Sequence, residues 1–185
     1  SFDLENEEEV KNILIKIKDL SENIDILVNN AGVNQISLFQ MTPINNFRKV
    51  FEVNFFSLIN FTQKMLKIIK KNNFSKIINI ASNAAELCDV GRSAYAPSKA
   101  ALIAFTKVLS KELGNNKINV NSVSPGLVNT DMMKNTPKKA IEDALANTPL
   151  KKIAEPIDVA KAVLFLASED SNHITGENIY ITGGM

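Results

Sequence analysis

One cysteine, one histidine, no long apolar run and no excess of charge: these 185 residues lack the material for several kinds of function. A lone Cys88 excludes an internal disulfide framework and fits a reducing compartment, so a cytoplasmic location is expected. His173 has no second histidine or cysteine at ligand spacing, so no metal is expected and it reads as a loop residue. A net charge of +1, with no run of like charge, gives no electrostatic footprint for nucleic acid or a membrane surface. No apolar stretch approaches the ~18 residues a membrane span needs, and the amino-terminal segment is acidic rather than a basic signal segment. No repeat, linker or low-complexity tract divides the chain. What is present is an ordinary globular composition, 45% hydrophobic and 22% charged, enough for one domain with a sizeable core. The expected partner is a small molecule.

The periodicities alternate. Asn6 before Glu7, Glu8 and Glu9 marks a helix start, and Val10, Ile13, Leu14, Ile17 and Leu20 form its apolar stripe. Residues 24–29 read as a strand buried on both faces. Thr42 and Pro43 open a helix whose apolar positions, among them Phe47, Phe51, Phe55, Phe61 and Ile69, carry it to about Asn72, with Asn54 inside the pattern. Further strands are expected at 76–81, 118–123 and 178–181, and a helix through Leu102 and Leu109 that Gly114 ends. Residues 129–149 are polar and lysine-rich and suit a mobile helical cover over a site. Pro156 starts a last helix. Strand and helix in alternation predict an α/β fold with a doubly wound parallel sheet.

The stretch from Ser82 to Lys99 carries the chemistry. Ser82 follows a strand, at the carboxyl end where open α/β sheets keep their ligands. Tyr95 and Lys99 are four apart on one helix, so their side chains emerge on the same face. A tyrosine with its ordinary pKa near 10 transfers protons poorly at neutral pH, and an ammonium at ~4 Å is expected to pull it down by roughly three units before desolvation takes some back. Ser82 would hold a substrate carbonyl toward that hydroxyl. Taken singly, each residue also has a plain structural reading: a packed ring, a solvated lysine, a turn serine. It is the set, with Tyr95 thirteen residues after Ser82 and four before Lys99, that suits reduction of a ketone or oxidation of an alcohol.

This arrangement resembles the short-chain dehydrogenase/reductase family, and the likeness runs along essentially the whole chain. Residues 25–32, ending Asn29-Asn30-Ala31-Gly32, are similar to its fourth strand and NNAG motif, which implies a sheet-stabilising role bordering the cofactor. Asn54 matches the family's helix asparagine, implied to hold a water in the proton relay with Lys99. Pro125, Gly126, Val128 and Thr130 resemble the PG motif beside the nicotinamide and phosphates, and Asp3-Leu4 the pair that reads adenine. Residues 174–184 resemble the closing segment. The resemblance implies a Rossmann-like fold, NADP or NAD as cofactor with NADP ahead, Tyr95 and Lys99 contacting it as well, and a homodimer or homotetramer built partly on the Asn54 and Tyr95 helices.

Within the family the likeness is greatest to 3-oxoacyl-acyl-carrier-protein reductases, so the implied substrate is a 3-oxoacyl thioester, with the carrier protein as a partner. The two basic positions that dock the carrier correspond to Asn73 and Asn116, both uncharged; Lys70, Lys71 and Lys117 are substitutes, and a keto-sugar is a rival substrate. Lys134, Lys138 and Lys139 would favour an anionic substrate or form a solvated helix face. The family's glycine-rich phosphate loop has no counterpart in residues 1–185. The expectation is a single domain lacking its first strands and helices, roughly 55 residues by resemblance, with Ile26 and Val28 left as an apolar edge that invites pairing with another chain. A second reading follows: a truncated, cofactor-deficient paralogue serving as an interaction or assembly module.

Overall fold

In the computed structural model, residues 2–69, 74–136 and 138–185 are described, without the side chains of residues 134 and 135. The expectations for Asn73, Lys70, Lys71 and the Lys134 side chain lie outside these.

Stretches rich in isoleucine, valine and asparagine form one parallel sheet. Its strands are β1 (Ile26–Asn29), β2 (Ser75–Ile80), β3 (Ile118–Pro125) and β4 (Asn178–Ile181), side by side in chain order. The two central strands are buried almost throughout. Because successive side chains leave a strand on opposite faces, Ile77 joins a core layer with Val10, Leu27, Phe61, Met65 and Val120, while Ile78 joins another with Val123 and Leu166. Helices cover both layers, as the doubly wound fold requires. β1 departs from the expectation of burial on both faces: Leu27 and Asn29 are buried, whereas Ile26 and Val28 are 44% and 42% exposed. As an edge strand it has one face without a covering helix.

Helix α1 (Glu7–Leu20) starts as its sequence dictates, with Asn6 Oδ1 accepting from the amides of Glu8 and Glu9 at 3.0 and 3.2 Å. Leu20 falls outside the buried stripe and is exposed. Helix α2 (Ile44–Phe51) passes through one π turn, Glu52–Phe56, into α3 (Ser57–Met65). That run ends at Met65, not near Asn72. Ile68 and Ile69 keep the apolar rhythm because they still enter the core, but the Ile68 carbonyl has already turned to accept from the Ile24 amide at 2.9 Å. After α4 (Ala84–Leu87), the long helix α5 (Tyr95–Leu113) runs on through Gly114, still right-handed at φ −56°, and the reversal falls on Lys117 at φ 54°. Helix α6 (Lys138–Asn147) lies in the segment expected as a cover, and Glu155 and Asp158 form a capping box around Pro156 at the start of α7 (Pro156–Ala167).

Candidate active site

Strand β2 delivers Ser82 to the carboxyl end of the sheet. There the Ala81 amide donates to the Val123 carbonyl and the Asn83 amide to that of Pro125. Ser82 is buried, and its hydroxyl accepts from the Ala84 amide at 3.2 Å. The chain then makes the short helix α4, turns through Cys88 and Gly91 with positive φ, and returns so that Tyr95 opens α5 against Ala84. The thirteen-residue spacing is thus a doubled-back loop, and it leaves the Ser82 hydroxyl near enough to the Tyr95 phenol to lower its pKa.

Lys99 is 4% exposed, and its ammonium donates to the Ile80 carbonyl at 2.8 Å. Burial draws its pKa down from 10.5 to about 8. Tyr95 behaves differently from the sequence expectation: burial raises its pKa, outweighing the Ser82 hydrogen bond and the charge of Arg92, which both lower it. At neutral pH the phenol therefore holds its proton.

Asn54 is fully buried in the π turn between α2 and α3, a kind of distortion frequent at functional sites. Its Oδ1 accepts from the Val33 amide at 2.8 Å, and its Nδ2 donates to the Val33 carbonyl and to Ser98 Oγ, both at 3.0 Å. Ser98 donates in turn to the Tyr95 carbonyl at 2.7 Å. Asn54 therefore binds the exit of β1 to the start of α5, with both amide protons committed. Gly32 sits in the same knot: a β-carbon there would lie 3.2 Å from Asn54 Oδ1 and 3.3 Å from Lys99 Nζ. Beneath it, Asn29 Nδ2 donates to Thr62 and Asn79, and Asn79 Nδ2 to Thr106, a buried polar chain between the sheet and α3 and α5.

The other expected site residues divide. Asp3, Leu4 and Ala31 line one cleft of about 410 Å³ together with Phe2, Glu5, Glu9 and Val53. Asn30, next to Ala31, is exposed at the same strand end. Pro125 and Gly126 lie beside Asn83, and a β-carbon on Gly126 would come within 3.3 Å of the Thr182 backbone. Val128 bridges to Ala154, and Thr130 is exposed, its hydroxyl donating to the Val128 carbonyl. An apolar cleft carrying carboxylates suits a neutral ring with amino donors and repels phosphates, so Asp3 and Leu4 fit the adenosine end of a nicotinamide dinucleotide. Ser82, Tyr95 and Lys99 fit its reactive end.

Sequence reasoning missed Ser98, Asn34 and Arg92. Ser98 stands three residues after Tyr95 on α5, the spacing that shares a helix face, and that was the available signal for it; Arg92 lies ahead of the helix and had none. Among the described residues no group of three histidine, cysteine or carboxylate side chains is placed to hold a metal, and no helix is long and apolar enough to cross a membrane.

The family model described as enoyl-(acyl carrier protein) reductase matches residues 1–185. The chain is 36% identical over 178 residues to a 3-oxoacyl-(acyl-carrier-protein) reductase of Thermotoga maritima, covering 96% of this chain and 72% of that protein. It is 37% identical over 184 residues to the reductase of the same name from Aquifex aeolicus, covering 100% and 74%. A 3alpha-hydroxysteroid dehydrogenase of Mediterraneibacter gnavus is 34% identical over 180 residues, covering 97% and 72%. These relatives bear the names of reductases and a dehydrogenase, and they lend no support to the assembly-module reading. The chain belongs to the short-chain dehydrogenase/reductase family and is an NAD(P)-dependent oxidoreductase.

Proposed function

We propose that the protein reduces the 3-oxo group of an acyl thioester, with Ser82 and Tyr95 handling the carbonyl oxygen. The observation that carries this is the gathering of buried Ser82, Tyr95 and Lys99 at the carboxyl end of β2, with Lys99 bonded to the Ile80 carbonyl and Tyr95 packed on Ala84 as a phenol whose pKa burial raises. A protonated acid at neutral pH serves reduction, whereas alcohol oxidation needs the phenolate. The nicotinamide, when bound, supplies the hydride. Ser82 orients the carbonyl oxygen, Tyr95 donates its phenolic proton to that oxygen as the alcohol forms, and Lys99 stabilises the phenolate until solvent restores the proton. Asn54, Gly32 and Ser98 position these groups. Asp3, Leu4, Asn30 and Ala31 hold the adenosine, with Pro125, Gly126, Val128 and Thr130 toward the nicotinamide.

The 3-oxoacyl class follows from the names of the Thermotoga and Aquifex relatives. Carrier linkage is part of the proposal. Lys117, the candidate basic replacement, stands over the exposed Phe74 ring at 5.5 Å and offers a cation beside an apolar contact. Phe56 and Val108, each 54% exposed on the π turn and α5, supply the face for a homo-oligomer. NADPH and NADH oxidation are to be followed with a carrier-linked 3-oxoacyl thioester, a small 3-oxoacyl thioester and a keto-sugar. Turnover of the thioesters is expected, faster with the carrier; turnover of the keto-sugar alone would overturn the assignment.

A further inference from the structure

The approach to Tyr95 is stapled to the loop that leaves β1. The Ser37 amide donates to the Gly91 carbonyl at 2.9 Å, and the Arg92 guanidinium donates through Nη1 to Asn34 Oδ1 at 3.3 Å. On its other side Arg92 Nε meets the Asp89 carboxylate at 3.8 Å. The Ala96 amide donates to the Arg92 carbonyl, so Arg92 stands just ahead of α5, within one turn of Tyr95. Bonded to Asn34, the guanidinium stands 5.6 Å from the centre of the Tyr95 ring. The side chain is only 24% exposed, yet nothing in the proton transfer proposed above employs it.

We propose that Arg92 is a positioning residue of the active site: held by Asn34, it fixes the Tyr95 ring and keeps beside it a positive charge, partly offset by Asp89, that favours the phenolate left by proton transfer. The proposal deepens the reading of Tyr95 as proton donor and rests on it. A guanidinium stays charged at every working pH. Lys99, drawn down to about 8, loses its charge just above neutrality, so the two cations of the site are not equivalent. The direction of the Arg92 influence agrees, since its charge lowers the Tyr95 pKa against burial.

The other charged and titratable groups nearby are accounted for. Lys99 lies on the same helix and is bonded to Ile80. Asp89 opposes the Arg92 charge, but its side chain is 57% exposed and solvent weakens it. On α4, which packs against α5, Glu86 engages Tyr180, and Cys88 just beyond is exposed. On α2, Arg48 donates to Asn45 and Lys49 pairs with Glu5.

A test that does not depend on turnover is to titrate Tyr95 directly. NMR of ring-labelled tyrosine in the intact protein gives the midpoint, with the Tyr95 signal assigned by its loss in Tyr95→Phe and Tyr180 as reference. Attraction between unit charges about 6 Å apart at an effective dielectric of about 20 corresponds to about two pH units, and partial exposure reduces the expectation to about one. Arg92→Gln should raise the Tyr95 midpoint by about one unit or more. Arg92→Lys should leave it within about 0.3 units, and neither should move Tyr180. Asp89→Asn, at an exposed position that leaves the fold intact, should lower it by a few tenths, and keeps the proposal testable should Arg92→Gln fail to fold. An unchanged midpoint in Arg92→Gln, equal shifts in the Gln and Lys variants, or no downward shift in Asp89→Asn would overturn the proposal. Because the titration reads the field at Tyr95 whether or not that residue donates the proton, such a failure stays distinct from failure of the proposed function, which turnover by Tyr95→Phe decides.

Discussion

Gly32 leaves Lys99 just the space that a side chain would take: a β-carbon on Gly32 would stand 3.3 Å from the lysine ammonium and 3.2 Å from Asn54 Oδ1. Both neighbours are tethered, Lys99 to Ile80 and Asn54 to Val33 and Ser98, so either can yield only by straining those bonds. Gly32→Ala should therefore displace the lysine by a few tenths of an ångström. The expected result is a loss of kcat on the order of 10- to 100-fold with a small change in unfolding free energy. Steady-state kinetics beside a urea unfolding curve separates the two.

Asn54 makes three hydrogen bonds with no exposure to water, and removing it strands the Val33 amide and carbonyl. Asn54→Ala should cost about 2–4 kcal/mol of stability, whereas Ser98→Ala, which strands one amide proton of Asn54 and removes one bond to the Tyr95 carbonyl, should cost about 1–2 kcal/mol. The double variant should lose less than the sum, because both remove the same Asn54–Ser98 bond. Denaturant midpoints of the four proteins check this.

Much of this was legible in the sequence, for reasons that differ by residue. The strands could be read because β2 and β3, buried on both faces, repeat isoleucine and valine through short stretches with few charges. The end of α3 could not, because Ile68 and Ile69 stay apolar for the core after the backbone has left the helix. Ser82, Tyr95 and Lys99 were visible as a spacing. Their protonation was not: a charge argument from the four-residue interval lowers the Tyr95 pKa, while the burial that raises it depends on Ala84 and α4 folding back over the ring. Arg92 was hidden because its two partners come from Asn34, far away in sequence, and from the loop residue Asp89.

Lys99 gives stability a pH dependence of definite sign. Its folded pKa of about 8 lies below its ordinary 10.5 because burial disfavours the charge. Between those values the unfolded chain keeps a proton that the folded chain has released, so stability rises with pH across that window. Below it both states are charged and the penalty is fully present. The rise is on the order of 3 kcal/mol. Lys99→Met lacks the titration, so the stability of the wild type relative to this variant should climb from about pH 8 toward 10.5. A difference that is flat over that range contradicts the burial argument.

The central claim is that the Tyr95 hydroxyl delivers the proton to a carbonyl held by Ser82. Tyr95→Phe removes that one oxygen and leaves the ring packed against Ala84 and Ala96. Oxidation of NADPH or NADH by a 3-oxoacyl thioester should fall by about 10²- to 10⁴-fold in kcat, with cofactor affinity, read from nicotinamide fluorescence, within a few-fold of wild type. Turnover near the wild-type rate would contradict the account.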